Sequence, residues 1–212
     1  MNTALNGSSP AGRVAIVTGG SRGVGRATVC RLTADGYGVV VNYLHDQRAA
    51  ESTVEAILAD NGNAVAVRAD ITDDLDVQRL FAETIEAFGG IDVVVQTAGR
   101  RINTRATFVV NREAARHLRN GGAIVNLSSS AADSSLRTHG LYAAAKAPAD
   151  VLTRALALEL RERDITVNAV SVELHRPCAP HQVADVIAYL LSPRGHGLTG
   201  QVLRVGDPGL PP

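Results

Sequence analysis

The chain has 212 residues, 45% of them hydrophobic and 20% charged, and its 21 basic and 21 acidic side chains cancel. That length suits one well-buried domain rather than two, and a null net charge gives no global pull towards nucleic acid or anionic lipid. No apolar run approaches the roughly 20 residues that a membrane helix requires, and two cysteines, Cys30 and Cys178, make no disulfide framework, so the expectation is a soluble cytoplasmic protein.

The first twelve residues, MNTALNGSSPAG, lack the plan of a signal peptide and read as a flexible tail. From 13 to 212 a single domain is expected. β-Branched runs fall at 13–18, 37–43, 63–69, 91–97, 122–128, 165–171 and 200–205. Helical periods lie between them, at 25–36, 47–62, 74–90, 103–122, 141–163 and 181–192. Strands that are apolar throughout and separated by helices imply a parallel sheet covered on both faces. Seven strands and six helices make an α/β, doubly wound Rossmann fold. Gly36, Gly62, Gly89 and Gly121 stand where left-handed helix caps are expected.

Between the first strand and first helix lies TGGSRGVG, residues 18–25. Gly19 lets the chain leave the strand sharply, Gly23 lets backbone approach a pyrophosphate, and Gly25 lets helix and sheet pack closely. The helix N-terminus adds free N–H groups for an anion. Ser21, Arg22 and Val24 share this turn and are candidates for the same site.

Further along stand AD at 69–70, TAG at 97–99, IVNLSS at 124–129, YAAAK at 142–146 and ITVNAVS at 165–171. With TGGSRGVG, these motifs resemble the short-chain dehydrogenase/reductase family over essentially the whole chain, nearest its 3-oxoacyl-carrier-protein reductase-like branch. The resemblance implies a seven-stranded sheet with a nucleotide across the switch point.

An NAD site usually carries an acidic residue at the end of the second strand. That place is read as Asn42, with no carboxylate until Asp46. Arg22 suits a 2′-phosphate by bidentate contact, against the plainer reading of a solvated arginine at a helix start. NADP is therefore expected over NAD. Asp70 and Ile71 resemble the family's adenine-contacting pair, unless the Asp simply caps the next helix. Ala98 and Gly99 complete the expected nucleotide contacts.

Tyr142 and Lys146 are four apart and share a helix face one turn apart. A cation there lowers the phenol's pKa, and such a tyrosine can pass a proton to or from a carbonyl oxygen. The resemblance makes Tyr142 the acid/base and Lys146 its electrostatic partner and a ribose ligand. Ser129, thirteen residues before Tyr142, would hydrogen-bond the substrate oxygen. Asn103 matches the family's asparagine that relays protons through water to the lysine; its alternative role is a helix N-cap. Asn111, on the same helix, is a weaker alternative for the relay.

Two segments are short against the family pattern. Only Arg100, Arg101 and Ile102 separate TAG from Asn103, and Gln96 replaces the first asparagine of the family's NAG turn. After NAVS the family continues Pro-Gly and a mobile lid, whereas this chain has VELHRPCAPHQVADV, with Pro177 and Pro180. A lid excludes water and completes substrate contacts, so the nicotinamide end is expected to be open, with weak substrate binding or a lid borrowed from a neighbouring subunit. Glu173, His175, Cys178 and His181 are possible zinc ligands, yet so short a loop reads by default as unliganded, and no metal is expected. Helix 141–163 contains Pro148, expected to bend it. In the family this helix and the one carrying Asn103 form a dimer interface, which implies a homodimer or homotetramer.

The function expected is NADP(H)-dependent hydride transfer between nicotinamide and a ketone or secondary alcohol, in the manner of a 3-oxoacyl-thioester reductase. The alternative is an NADP-binding protein with little or no turnover.

Overall fold

The computed structural model describes residues 12–98, 104–129, 140–173 and 178–206, with the backbone alone at 129 and 140–148. Seven strands form one parallel sheet: β1 (Val14–Thr18), β2 (Gly38–Tyr43), β3 (Asn63–Arg68), β4 (Ile91–Gln96), β5 (Leu118–Ser129), β6 (Thr166–Val172) and β7 (Val202–Val205). Their order is β3-β2-β1-β4-β5-β6-β7. Among the described residues six α-helices alternate with them: α1 (Gly23–Ala34), α2 (Gln47–Ala59), α3 (Asp74–Phe88), α4 (Thr104–His117), α5 (Gly140–Glu159) and α6 (Pro180–Leu191). The chain winds outward from β1 to β3, then returns to β4 on the other side of β1. That reversal makes a switch point between β1 and β4, where ligands bind in open α/β sheets.

Alternation along a strand builds two cores at once. Val14 and Ile16 of β1 pack with Leu80 and Phe81 of α3, Val110 of α4 and Leu156 of α5. Ala15 and Val17 face the opposite layer, with Leu32 of α1, Ile57 of α2 and Ile187 of α6. Successive strand residues point to opposite faces, so a central strand covered on both sides has to be apolar at every position. Each fully buried Ile, Leu or Phe contributes about 1.5–3 kcal/mol. Among the described residues no helix is long and apolar enough to cross a membrane.

Two of the four expected glycine caps are differently placed. At the end of α2 the left-handed residue is Asn61, with φ 60°, and Gly62 has no positive φ. Gly62 is needed for space, because a Cβ there would lie 2.6 Å from Ile57 Cγ2. Gly121 does have a positive φ of 75°, but it sits inside β5, which begins at Leu118 and shifts register against β4 between Ile91 and Val93. Gly89 closes α3 with φ 77°, as expected. Helix α5 runs through Pro148 to Glu159.

Candidate functional site

The site is built at the carboxyl ends of the central strands. Thr18 of β1 pairs with Gln96 of β4, and Gln96 pairs with Asn126 of β5, so these three residues lie at one level across the sheet. The glycine turn, Ala98 and the end of β5 follow that line within a few residues. With strands about 4.8 Å apart, β1 and β5 are separated by only about 10 Å.

The turn has the geometry its glycines allow. Gly19 and Gly23 have φ of 66° and 55°, in the left-handed region that side chains disfavour. A Cβ on Gly25 would stand 2.2 Å from Gly19 O and 2.6 Å from Thr97 Oγ1, whereas one on Gly23 would meet nothing within 4 Å. Gly25 thus closes the turn onto the sheet, and Gly23 leaves its outer side open. The β4 exit braces the turn: Thr97 Oγ1 donates to Thr18 O at 2.7 Å, and Ala98 N–H donates to Thr18 Oγ1 at 3.3 Å. Ser21 is buried within the turn, while Val24 is half-buried and its carbonyl accepts from Thr28 Oγ1.

Helix α1 starts on Arg22, which is exposed and makes no side-chain cap. Helices α2 and α3 are capped by Asp46 and Asp73, whose carboxylates accept from Ala49 and Asp76 N–H. The first turn of α1 therefore offers N–H groups and a partial positive charge, beside a glycine turn open on its outer side. Those residues fit an anionic pyrophosphate.

Asn42 is placed differently from the sequence expectation. Its side chain is only 2% exposed. Asn42 Nδ2 donates to Ala69 O at 3.1 Å, with longer contacts to Val67 O and Tyr43 O, and its Oδ1 accepts from Gly19 N–H at 3.4 Å. It ties the turn to the ends of β2 and β3, and its amide is not presented to a ribose. Asp70 does not cap α3 either, since Asp73 does so. Asp70 Oδ1 accepts from Thr72 N–H at 2.9 Å, and its own N–H donates to Asp76 Oδ2 at 2.8 Å. That N–H, with Arg79 second, holds the Asp76 carboxyl below the usual range. Asp74 is lowered by Arg112 and then Arg105, and Arg105 Nε also donates to Thr72 O at 2.8 Å. The turn carrying Asp70 and the half-buried Ile71 is thus braced from α3 and α4.

Ser129 ends β5, opposite Val172 of β6. Tyr142 and Lys146 lie one turn apart in the first half of α5. Gly99 and Asn103 lie outside the described residues, as does His175 of the possible zinc set; among the described residues no three His, Cys, Asp or Glu cluster as a metal site. Asn111 is described and is turned inward. It is 1% exposed, and its Nδ2 lies within 3.1 Å of Thr107 O, Asn126 Oδ1 and Gln96 Oε1. A side chain so engaged is unavailable for a proton relay. Ser128 Oγ, buried next to Ser129, has no hydrogen-bond partner among the described residues, a state that costs about 1–3 kcal/mol. A cavity of about 230 Å³ lined by Arg13, Thr166, Leu191 and His196 lies at the amino ends of the strands, away from this edge.

The braces from Thr18, Thr97, Gln96 and Asn126 were not anticipated from the sequence. A threonine directly before a glycine turn was the signal available for the first. The others depend on pairing across strands.

An open glycine turn and an uncapped helix at the switch point of a doubly wound sheet define a Rossmann-type α/β protein. The family model for short chain dehydrogenases matches residues 13–176. The chain belongs to the short-chain dehydrogenase/reductase family of oxidoreductases. It is 33% identical to the hydroxynaphthalene reductase-like protein Arp2 of Metarhizium majus, over 92% of this chain and 94% of that protein. It is 39% identical to versicolorin reductase 1 of Aspergillus parasiticus, over 76% of this chain and 68% of that protein. The first alignment spans 250 positions, more than the 212 residues of the chain, so the relative carries internal segments that are absent here. A short chain dehydrogenase from Burkholderia cenocepacia, in complex with NADP, superposes with a TM-score of 0.87 at 31% identity, covering 94% of this chain and 98% of that one. A blue fluorescent protein from a metagenomic library, in complex with NADPH, gives 0.84 at 30% identity, with 94% and 98% covered.

Proposed function

We propose that the chain is an NADP(H)-dependent reductase of small carbonyl compounds, interconverting a ketone and a secondary alcohol. The observation that carries this reading is the glycine turn, open at Gly23 and backed by an uncapped α1, on the same sheet edge as the end of β5. The NADP complexes among its structural neighbours and the reductases among its relatives support it.

In this reading the backbone of Gly19, Ser21, Gly23, Val24 and Gly25 holds the pyrophosphate, and the exposed Arg22 meets the 2′-phosphate. Asp70, Ile71, Ala98 and Gly99 border the rest of the dinucleotide, with Asn42 acting through the turn it ties. The bound cofactor supplies or accepts a hydride. Tyr142 gives its phenolic proton to the carbonyl oxygen, Lys146 stabilises the phenolate left behind, and Ser129 holds the oxygen in place. Asn103 connects Lys146 to solvent through water. The preferred substrate is a 3-oxoacyl thioester or another ketone, reduced in the cytoplasm, with the enzyme as a homodimer or homotetramer.

Tyr142→Phe tests the assignment. NADPH oxidation, measured with a panel of ketones and acyl thioesters, should fall at least a hundredfold in this variant while NADPH affinity stays within twofold. Undiminished turnover in Tyr142→Phe would refute the role.

A second reading, an NADP-binding protein with little or no turnover, is favoured by the seven-residue connections on the substrate side, 97–103 after β4 and 173–179 after β6. Tight NADPH binding by the wild-type protein with no oxidation against any member of the panel would select it.

A further inference from the structure

A chain of buried side chains joins every element that carries a candidate catalytic residue. Gln96 on β4, Asn111 on α4, Asn126 on β5 and Thr153 on α5 are each at most 5% exposed. Asn111 and Asn126 exchange amide hydrogen bonds of 2.9 and 3.1 Å. Asn111 Nδ2 reaches Gln96 Oε1 at 3.1 Å, and Asn126 Nδ2 donates to Thr153 Oγ1 at 3.1 Å. The surrounding layer is apolar, built of Val109, Val110, Ile124, Leu156 and Ala157. Packing alone would be served as well by aliphatic residues, whereas a satisfied buried network specifies one arrangement.

What that arrangement specifies follows from where its members stand. Asn126 is three residues before Ser129 on β5. Positions 142, 146, 149 and 153 of α5 recur at helical spacing and form one stripe, of which Ala149 and Thr153 are buried. Leucine and alanine contacts between helix and sheet tolerate small slides and rotations; a hydrogen bond is directional and does not. Within one helix, Thr153 is about 16 Å below Tyr142 along the axis, so a rotation allowed at Thr153 is carried to the tyrosine.

We propose that Asn126 and Thr153 are positioning residues for proton transfer, their hydrogen bond setting the rotation and height of α5 against β5 and hence the placement of Tyr142 and Lys146 relative to Ser129. Asn111 and Gln96 extend the same lock to α4 and β4. This rests on the ketone-reductase reading of the site.

The test compares Thr153→Val, which keeps the shape and removes the hydroxyl, with Thr153→Ser, which keeps the hydroxyl. Thr153→Ala replaces the valine variant if that does not fold. Turnover of the best ketone or thioester is measured against pH, together with NADPH affinity, melting temperature and amide hydrogen exchange across residues 140–148. In Thr153→Val, kcat should fall about ten- to a hundredfold, as expected for a misplaced catalytic group. Its pH midpoint should move, NADPH affinity should weaken by a smaller factor than kcat because only the Lys146 contact to the ribose is disturbed, and exchange across 140–148 should quicken severalfold. Thr153→Ser should restore all of these to within threefold of wild type. Wild-type behaviour in Thr153→Val, equal impairment in valine and serine variants, or loss of stability and NADPH affinity in parallel with kcat would each overturn the proposal. If the wild-type protein turns nothing over, the reductase reading fails by itself, and hydrogen exchange across 140–148 alone decides whether Thr153 sets the helix.

Discussion

Gly23 and Gly25 are two residues apart and answer opposite demands. At Gly25 a methyl group would meet Gly19 O at 2.2 Å, so the turn must move to admit it. Gly25→Ala is expected to cost about 1–3 kcal/mol, a fall of several degrees in Tm, and to weaken NADPH binding tenfold or more by fluorescence titration. At Gly23 the space is free and only the φ of 55° resists a side chain, so Gly23→Ala should cost about 1–2 kcal/mol. A Gly25→Ala variant as stable as wild type would show that helix and turn are not packed as described. Arg22 belongs to the same scale. If it meets a 2′-phosphate, Arg22→Ala should raise the Kd for NADPH at least tenfold and leave that for NADH within twofold, and an equal loss for both would remove the basis for NADP preference. The asparagines show how one residue type takes different work: Asn42 and Asn111 both face inward on backbone and amide partners.

Helix α3 shows what an element contributes to the nucleotide edge. Its Asp73 cap satisfies an otherwise free N–H, and Asp73→Ala should destabilise the protein by about 1 kcal/mol in thermal melts. Asp76, in its first turn, accepts from Asp70 N–H and from Arg79, and its carboxyl is held below the ordinary range by those two contacts in that order. A folded-state pKa below that of the unfolded chain means that the contribution is complete above about pH 3.9 and is lost as the pH falls through the folded value. Stability should therefore drop on acidification below about pH 4, and Asp76→Asn should flatten that part of a Tm-against-pH curve. An unchanged acid limb in the variant would show that the Asp70–Asp76 contact does not persist in solution. Because the partially exposed ion pairs of Asp74 and Arg79 are screened by solvent, the effect belongs chiefly to the backbone hydrogen bond.

At the scale of the molecule, α4 and α5 present Phe108, Val151 and Leu158 at 54%, 65% and 77% exposure, on the two helices that the family resemblance assigns to a dimer. Light scattering at micromolar concentration should give a dimer or tetramer for the wild-type protein and a smaller species for the double variant Phe108→Glu, Leu158→Glu. A monomeric wild-type protein would refute that assembly. The architecture itself was legible in the sequence, because strands covered on both faces must be apolar at every position and glycines in a tight turn answer to local backbone geometry. Those are short-range requirements, and seven strands, six helices and the turn at 18–25 follow from them. The sequence also brought together Tyr142, Lys146 and Ser129 as candidates, through their spacing and family likeness. It left Asn103 and Asn111 as rivals for one role, set Asn42 where an NAD site carries its acidic residue, and took Gly62 rather than Asn61 as the left-handed residue after α2. Only the tertiary structure decided the inward places of Asn42 and Asn111 and the lock through Asn126 and Thr153. Which face a polar side chain takes, and whether it finds a partner 15 or 27 residues away, depends on strand register and helix packing, which exist only once the chain is folded.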